Sequence, residues 1–432
     1  MSENALRVGL LGFGTVGSGA VRTLAQNREL IDQRAGRKIH LAAIAELDLE
    51  AKRGVSLDSF PNLLLTRNAD EVVEHPDIDV IIETIGGTEA ARELVLKALA
   101  AGKDVVTANK ALLAEYAEEI FSAAVQQGRR LAFEGAVGGG IPLIETLDGP
   151  LAGARVRSIW AILNGTCNFM LTRMEQGSGD FDSVLKEAQE EGYAEQDPTL
   201  DIEGHDTAHK IALLASTCFG QKIDYSRISV EGINHLDEVD VLFASHNGYR
   251  IKLLGVAHQG EGFVDVRVHP ALLPRDSLLA QVDDVFNAVY LVGEPVGAVA
   301  LYGRGAGSLP TGSAVVSDLI QLARGENTLP ERYESFYRAG LEQRPVEQAR
   351  NHFYIRCSVT DEPSALNTVL AVLSDEKIPV DMADRVDSRG KKVVALTGKV
   401  ARKQIGAALA KLQAADWVTQ PPYAIPLEEP GE

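Results

Sequence analysis

The chain has 432 residues, 45% hydrophobic and 24% charged, with a formal net charge of −19. Its length exceeds one compact core, so roughly two to four domains are expected. The acidic balance argues against nonspecific nucleic-acid binding; no run of about 18 apolar residues offers a membrane span; and the start MSENALR reads as no secretory leader, which points to a cytoplasmic protein.

Residues 1–140 alternate strands and helices. An apolar run at 6–11 leads into a glycine turn and a helical pattern to about residue 27. Segments 39–45, 79–84, 104–108 and 131–134 read as further strands separated by helices. This rhythm predicts an α/β unit, a parallel sheet with helices on its faces. The turn reads Gly12-Phe13-Gly14-Thr15-Val16-Gly17. Gly12 suits the tight turn, Gly14 the close approach of backbone to a pyrophosphate, and Gly17 close helix–strand packing, while the helix start offers N–H donors to phosphate. Glu46, at the end of the second strand, is placed to accept from ribose hydroxyls and repel a 2′-phosphate, so NAD is expected over NADP; Lys52 and Arg53 argue the other way. Thr84, and Lys110 after the fourth strand, stand at carboxyl ends of strands, where open sheets bind ligands. Lys110 reads equally well as a substrate contact or a solvated helix start.

Beyond the glycine-rich segment 134–142 the rhythm changes. Residues 141–305 read as an α+β domain with strands near 156–163, 251–258 and 263–268. Glu134 and nearby carbonyls could bind a hard cation, but taken alone the segment reads better as a plain glycine hinge. Asn164-Gly165-Thr166-Cys167-Asn168 reads as a strand-to-helix turn whose amides and hydroxyl suit a small carboxylate. Cys167 is read as a packed thiol rather than a nucleophile. The three cysteines, Cys167, Cys218 and Cys357, lack zinc-site or disulfide spacing. The stretch GYAEQDPTLDIEGHDTAHK, from Gly192 to Lys210, is rich in carboxylates and then turns helical, placing Asp206 and Lys210 on one face. A carboxylate beside a lysine at a core edge is how a proton-transfer group is held and tuned, although taken alone such a spacing is more often a solvated acidic loop followed by an ordinary surface ion pair. Gly303-Arg304-Gly305-Ala306-Gly307 precedes a helix near 314–323 that is expected to return to the first domain, within residues 306–325. Residues 326–350 read as a linker, 351–420 as a compact β-α-β-β-α unit, and 421–432 as an irregular tail.

Together, GLLGFGTVGSG, TANKALL, FEGAVGGGIPLI, LNGTCNF, the 192–210 stretch, RVHPALLP and YGRGAGSLPTGSAVVSDL resemble homoserine dehydrogenases, in that family's order and over most of residues 5–323. The resemblance implies a Rossmann-type nucleotide domain, a substrate and dimerisation domain, and reversible oxidation of L-homoserine to L-aspartate 4-semialdehyde with NAD or NADP. That step serves threonine, methionine and isoleucine synthesis. It implies Lys210 and Lys110 as proton-transfer groups, with Asp206 orienting Lys210. Glu195 would bind the substrate amino group, and Tyr193, Asp201, Gly165 and Thr166 would complete the pocket. Phe13, Thr15, Val16, Thr84, Lys110 and Gly305 would line the cofactor. A Na+ site maps to Glu134 and the carbonyls of Val137, Gly139 and Ile141. Glu46 stands where many NADP-using members have arginine. The C-terminal unit resembles a βαββαβ ACT domain, implying control by L-threonine, although Ser364 stands where such domains usually have glycine. A homodimer or homotetramer is expected.

Overall fold

The computed structural model describes residues 5–325, 340–360, 364–386 and 391–431. In the first domain β1 (Leu6–Leu11), β2 (Ile39–Ala45), β3 (Leu64–Thr66), β4 (Val80–Glu83), β5 (Asp104–Thr107) and β6 (Leu131–Ala132) form one parallel sheet in the order β3-β2-β1-β4-β5-β6. β1 and β4 are apolar on both faces because helices cover both sides of the sheet. Strand order reverses between β1 and β4, so their carboxyl ends open a crevice of the kind that holds ligands.

The returning helix is Ser308–Arg324, beginning six residues before its apolar pattern, at Gly307 with φ +121°. Pro310 sits in its first turn, where no intrahelical N–H is needed. It packs against helix Thr15–Gln26 with almost no side chain between them: a Cβ at Gly19 would lie 1.8 Å from the Ser308 carbonyl oxygen, and one at Gly312 would lie 2.4 Å from the Ala20 nitrogen. The helix that follows the cofactor turn is thereby held by the second domain's last helix.

The second sheet runs Gly297–Arg304, Phe286–Glu294, Arg155–Ile162, Tyr249–Gly260, Phe263–Pro274 and Glu342–Gln343, with Ser229–Val230 also paired to Phe263–Pro274. Helices Gly165–Glu175 and His205–Phe219 pack on it. Part of the expected linker is therefore structured: Glu342–Gln343 pairs with Phe263–Val264, and Gln343 exchanges hydrogen bonds with Asp224. The remainder, 326–339, lies outside the described residues.

The C-terminal unit has the order strand Phe353–Ser358, helix Ala365–Asp375, strands Val380–Val386 and Lys392–Thr397, helix Arg402–Gln413 and strand Tyr423–Pro426. The last strand corrects the reading of residues 421–432 as irregular. It pairs with Phe353–Arg356 and closes a four-stranded antiparallel sheet. Leu427 then bridges to Leu272 of the second sheet, and the buried Glu428 accepts from Arg267 and from the Trp160 indole, each at 2.9 Å. The tail thus joins two sheets.

Candidate active site

The glycine turn is built as its spacing implies. Gly12 has φ +87°, and a Cβ there would lie 2.7 Å from the Thr84 carbonyl oxygen. A Cβ at Gly17 would lie 2.2 Å from the Gly12 carbonyl oxygen, whereas one at Gly14 would meet nothing within 4 Å. Gly14 is the N-cap of helix Thr15–Gln26 and brings no side-chain hydrogen bond to the helix start. That combination fits a dinucleotide pyrophosphate. Glu46 reaches the turn: it accepts from the Phe13 N–H at 2.6 Å, and Arg53 lies 3.5 Å from it and over the Phe13 ring. The Thr84 hydroxyl donates to the Gly12 carbonyl at 2.8 Å, tying β4 to the turn.

Lys110 is set by a buried polar triad. Glu83, fully buried at the end of β4, accepts from the Thr107 hydroxyl at 2.5 Å and from the Ile85 N–H at 2.8 Å, while burial pushes its carboxyl upward. Asn109 donates to the Gly87 carbonyl at 2.7 Å and caps helix Lys110–Gln126 by accepting from the Leu112 N–H at 3.0 Å. Lys110 is the first residue of that helix and points toward the second domain.

There it meets Asp206. One carboxylate oxygen lies 3.0 Å from the Lys110 ammonium; the other accepts from Lys210 at 2.7 Å and from the Asn164 amide at 2.9 Å. Lys210 is 7% exposed and also donates to the Leu163 carbonyl at 2.7 Å. Burial alone would raise the Asp206 carboxyl, but Lys210 and Lys110 outweigh it and hold it well below the usual carboxylate range. The charge of Asp206 in turn raises Lys110 above its ordinary value against its own desolvation. Asn164 reaches further: its amide also donates to Asp201 at 2.7 Å, and its oxygen caps helix Gly165–Glu175 by accepting from the Cys167 N–H. Burial, then the neighbouring Asp206 charge, pushes the Asp201 carboxyl up.

A cavity of about 370 Å³ joins the two halves; its lining includes Val16, Thr84, Lys110, Glu195, Asp201, Asp206 and His209. Tyr193, Gly165 and Thr166, expected in the pocket, are not among its lining residues; the Thr166 hydroxyl donates to the Tyr193 carbonyl at 2.8 Å, and the Tyr193 ring packs 4.9 Å from Phe169. Asp197 borders the cavity, but its carboxylate caps Thr199. Gly305 packs at the domain junction, where a Cβ would strike Asn287. The Cys167 thiol is buried, donates to the Asp201 carbonyl at 3.2 Å and is pushed far up by burial, which settles it as a packed group.

Three groups were not singled out from sequence: Asn164 as the bridge between carboxylates, Glu83 beneath the Lys110 helix, and His209. His209 lines the cavity and stacks on Tyr225 at 4.4 Å, and burial lowers its pKa. Only Asn164 had a local signal, its place just before a strand-to-helix turn. Glu134 caps the helix Ile144–Asp148, accepting from the N–H groups of Leu143, Ile144 and Glu145 at 2.6–3.1 Å. Burial raises it to about 7, and Asp318, which accepts from the Glu134 N–H, is pushed far up beside it.

Comparison with known proteins agrees with this geometry. Residues 12–134 match the family model described as the NAD-binding domain of homoserine dehydrogenase, and residues 142–320 match that described as homoserine dehydrogenase. The homoserine dehydrogenase of Neisseria gonorrhoeae is 41% identical over 98% of both chains. A crystal structure of a homoserine dehydrogenase from Thiobacillus denitrificans is 42% identical with a TM-score of 0.92, covering 99% of both chains. A hyperthermophilic archaeal homoserine dehydrogenase solved in complex with NADPH is 25% identical with a TM-score of 0.61, over 73% of this chain and 97% of that one. No helix among the described residues is long and apolar enough to cross a membrane.

Proposed function

Because the chain belongs to the homoserine dehydrogenase family, we propose that it interconverts L-homoserine and L-aspartate 4-semialdehyde with lysine-assisted proton transfer, in threonine, methionine and isoleucine synthesis. The observation that carries this reading is the buried Asp206 carboxylate shared by Lys110 and Lys210 in a cavity that reaches the glycine turn. The nicotinamide supplies or accepts the hydride. Lys210 takes the hydroxyl proton in oxidation and returns it to the aldehyde oxygen in reduction. Asp206 holds Lys210 in place by accepting from its Nζ at 2.7 Å. Glu195 receives the substrate ammonium, and Asp201, Tyr193, Gly165 and Thr166 bound the amino-acid end. NADH formation from L-homoserine by the purified protein tests the reading; no turnover with homoserine would end it.

NAD is expected to be the better cofactor. Glu46 presents a negative charge beside the cofactor turn, which disfavours a 2′-phosphate. Arg53 already faces that carboxylate and the Phe13 ring. The ratio of kcat/KM for NAD over NADP should exceed one, and a clear preference for NADP would overturn this assignment.

The C-terminal unit, with its βαββαβ order, is read as a regulatory ACT-like module responding to L-threonine. Its expected effector loop begins at Asp361–Pro363, outside the described residues; Ser364 is exposed at the start of the following helix. Activity unchanged across millimolar threonine would leave the unit as an assembly module. A Na+ ion held by Glu134 and the carbonyls of Val137, Gly139 and Ile141 would balance the single charge of an ionised Glu134. Activity and thermal stability indifferent to sodium would remove it. A homodimer or homotetramer is proposed, and a monomeric mass in solution would exclude both.

A further inference from the structure

Between Asp201 and Asp206 the chain turns through Ile202, Glu203 and Gly204, and this turn sets the spacing of the two carboxylates that Asn164 bridges. The turn rests on the segment 229–233. The Ile233 N–H donates to the Ile202 carbonyl at 2.8 Å. A Cβ at Gly232 would lie 2.0 Å from the Ile202 oxygen and 2.4 Å from the Glu203 Cα, so the two backbones touch directly. Gly204, at φ +86°, has room for no more than a close contact with Val230 and Val268.

That supporting segment is held from both sides. Ser229–Val230 pairs with the second sheet, and the Glu231 N–H donates to the Val268 carbonyl at 2.9 Å. From the other side the C-terminal module grips it. Arg402 donates to the Glu231 carboxylate at 2.5 Å, with both side chains about a fifth exposed. Just beyond, Arg356 donates to the His235 carbonyl and to the buried Asp240, at 2.9 and 2.8 Å. The module is thus anchored to the support of the turn that places Asp201.

We propose that Arg402 and Glu231 are positioning residues of the substrate clamp: their ion pair fixes the Gly232–Ile202 contact and, through it, the place of Asp201 relative to Asp206. This rests on the reading that Asp201 bounds the substrate. Packed backbones transmit such a displacement because they have discrete arrangements rather than a continuous range. Arg356–Asp240 is too deeply buried to test without risking the fold, since breaking a buried pair leaves an uncompensated charge. Arg402–Glu231 is partly solvated and can be cut cleanly.

The experiment is steady-state kinetics on the full chain with Arg402→Ala, Glu231→Gln and Arg402→Lys. For the first two, KM for L-homoserine should rise roughly 3- to 10-fold. The change in kcat should be smaller and the nicotinamide cofactor KM unchanged. Arg402→Lys should recover most of the homoserine KM, which a merely structural role would not predict. A homoserine KM equal to the parent's, or an equal rise in both KM values, overturns the proposal. Asp201→Asn run alongside separates the two layers. If it raises the homoserine KM while Arg402→Ala does not, only the coupling falls. If it leaves that KM unchanged, the clamp reading falls and takes the coupling with it.

Discussion

Lys210→Ala is expected to lower kcat for homoserine oxidation by ~10²–10⁴-fold, the usual cost of removing a positioned proton-transfer group. That loss corresponds to about 3–5 kcal/mol of transition-state stabilisation. Lys210 is 7% exposed, and its Nζ donates to the Leu163 carbonyl and to Asp206. In oxidation the group acts as the neutral amine, whose lone pair takes the hydroxyl proton; in reduction the resulting ammonium returns it to the aldehyde oxygen. Water has poor access to a group so enclosed, so solvent is a weak substitute for the missing base. Homoserine KM should change much less than kcat, because the proposed contacts to the amino-acid end are Glu195 and Asp201 rather than Lys210. Initial rates of NADH formation decide the matter, and a near-parent rate would remove Lys210 from the mechanism.

What the sequence made legible is what local rules control. Gly12 and Gly17 occur where backbone sterics require them, whereas a side chain at Gly14 would meet nothing in the protein itself. Asp206 and Lys210 are four apart on one helix, so their contact followed from helical geometry. The approach of Lys110 to the same carboxylate did not, since it is made by two domains meeting and no spacing encodes it. Short edge strands were lost for a related reason. Leu64–Thr66, Glu342–Gln343 and Tyr423–Pro426 are too brief for a periodic signal and exist because a neighbouring strand offers its edge. Glu428 looked like part of a polar tail, yet it is buried because Arg267 and Trp160 await it across the second sheet. Asn164 is an intermediate case. Its capping position could be anticipated, but its bridge from Asp201 to Asp206 depends on the turn at Ile202–Gly204, whose support comes from the segment 229–233.

Asp206→Asn should be nearly as costly as losing Lys210, for a different reason. The substitution keeps the shape of the side chain but leaves the ammonium groups of Lys110 and Lys210 facing each other without the carboxylate between them. Asp206 is 8% exposed, and breaking a buried pair costs roughly 3 kcal/mol or more of stability. The exposed half of the site, around Lys110, softens that figure. Because the carboxyl is held below its ordinary value in the folded state, its contribution is fully present above the unfolded carboxylate range and is lost only as pH falls through the depressed folded value. The variant should therefore lose stability at neutral pH and show little difference from the parent in strong acid. In kinetics, kcat should fall by ~10²-fold. If Asp206 acts through Lys210, the same change in a Lys210→Ala background should cost far less than it does alone, since residues acting as a unit are not additive. Two losses that multiply in the double variant would show instead that Asp206 contributes independently, most directly through its contact with Lys110.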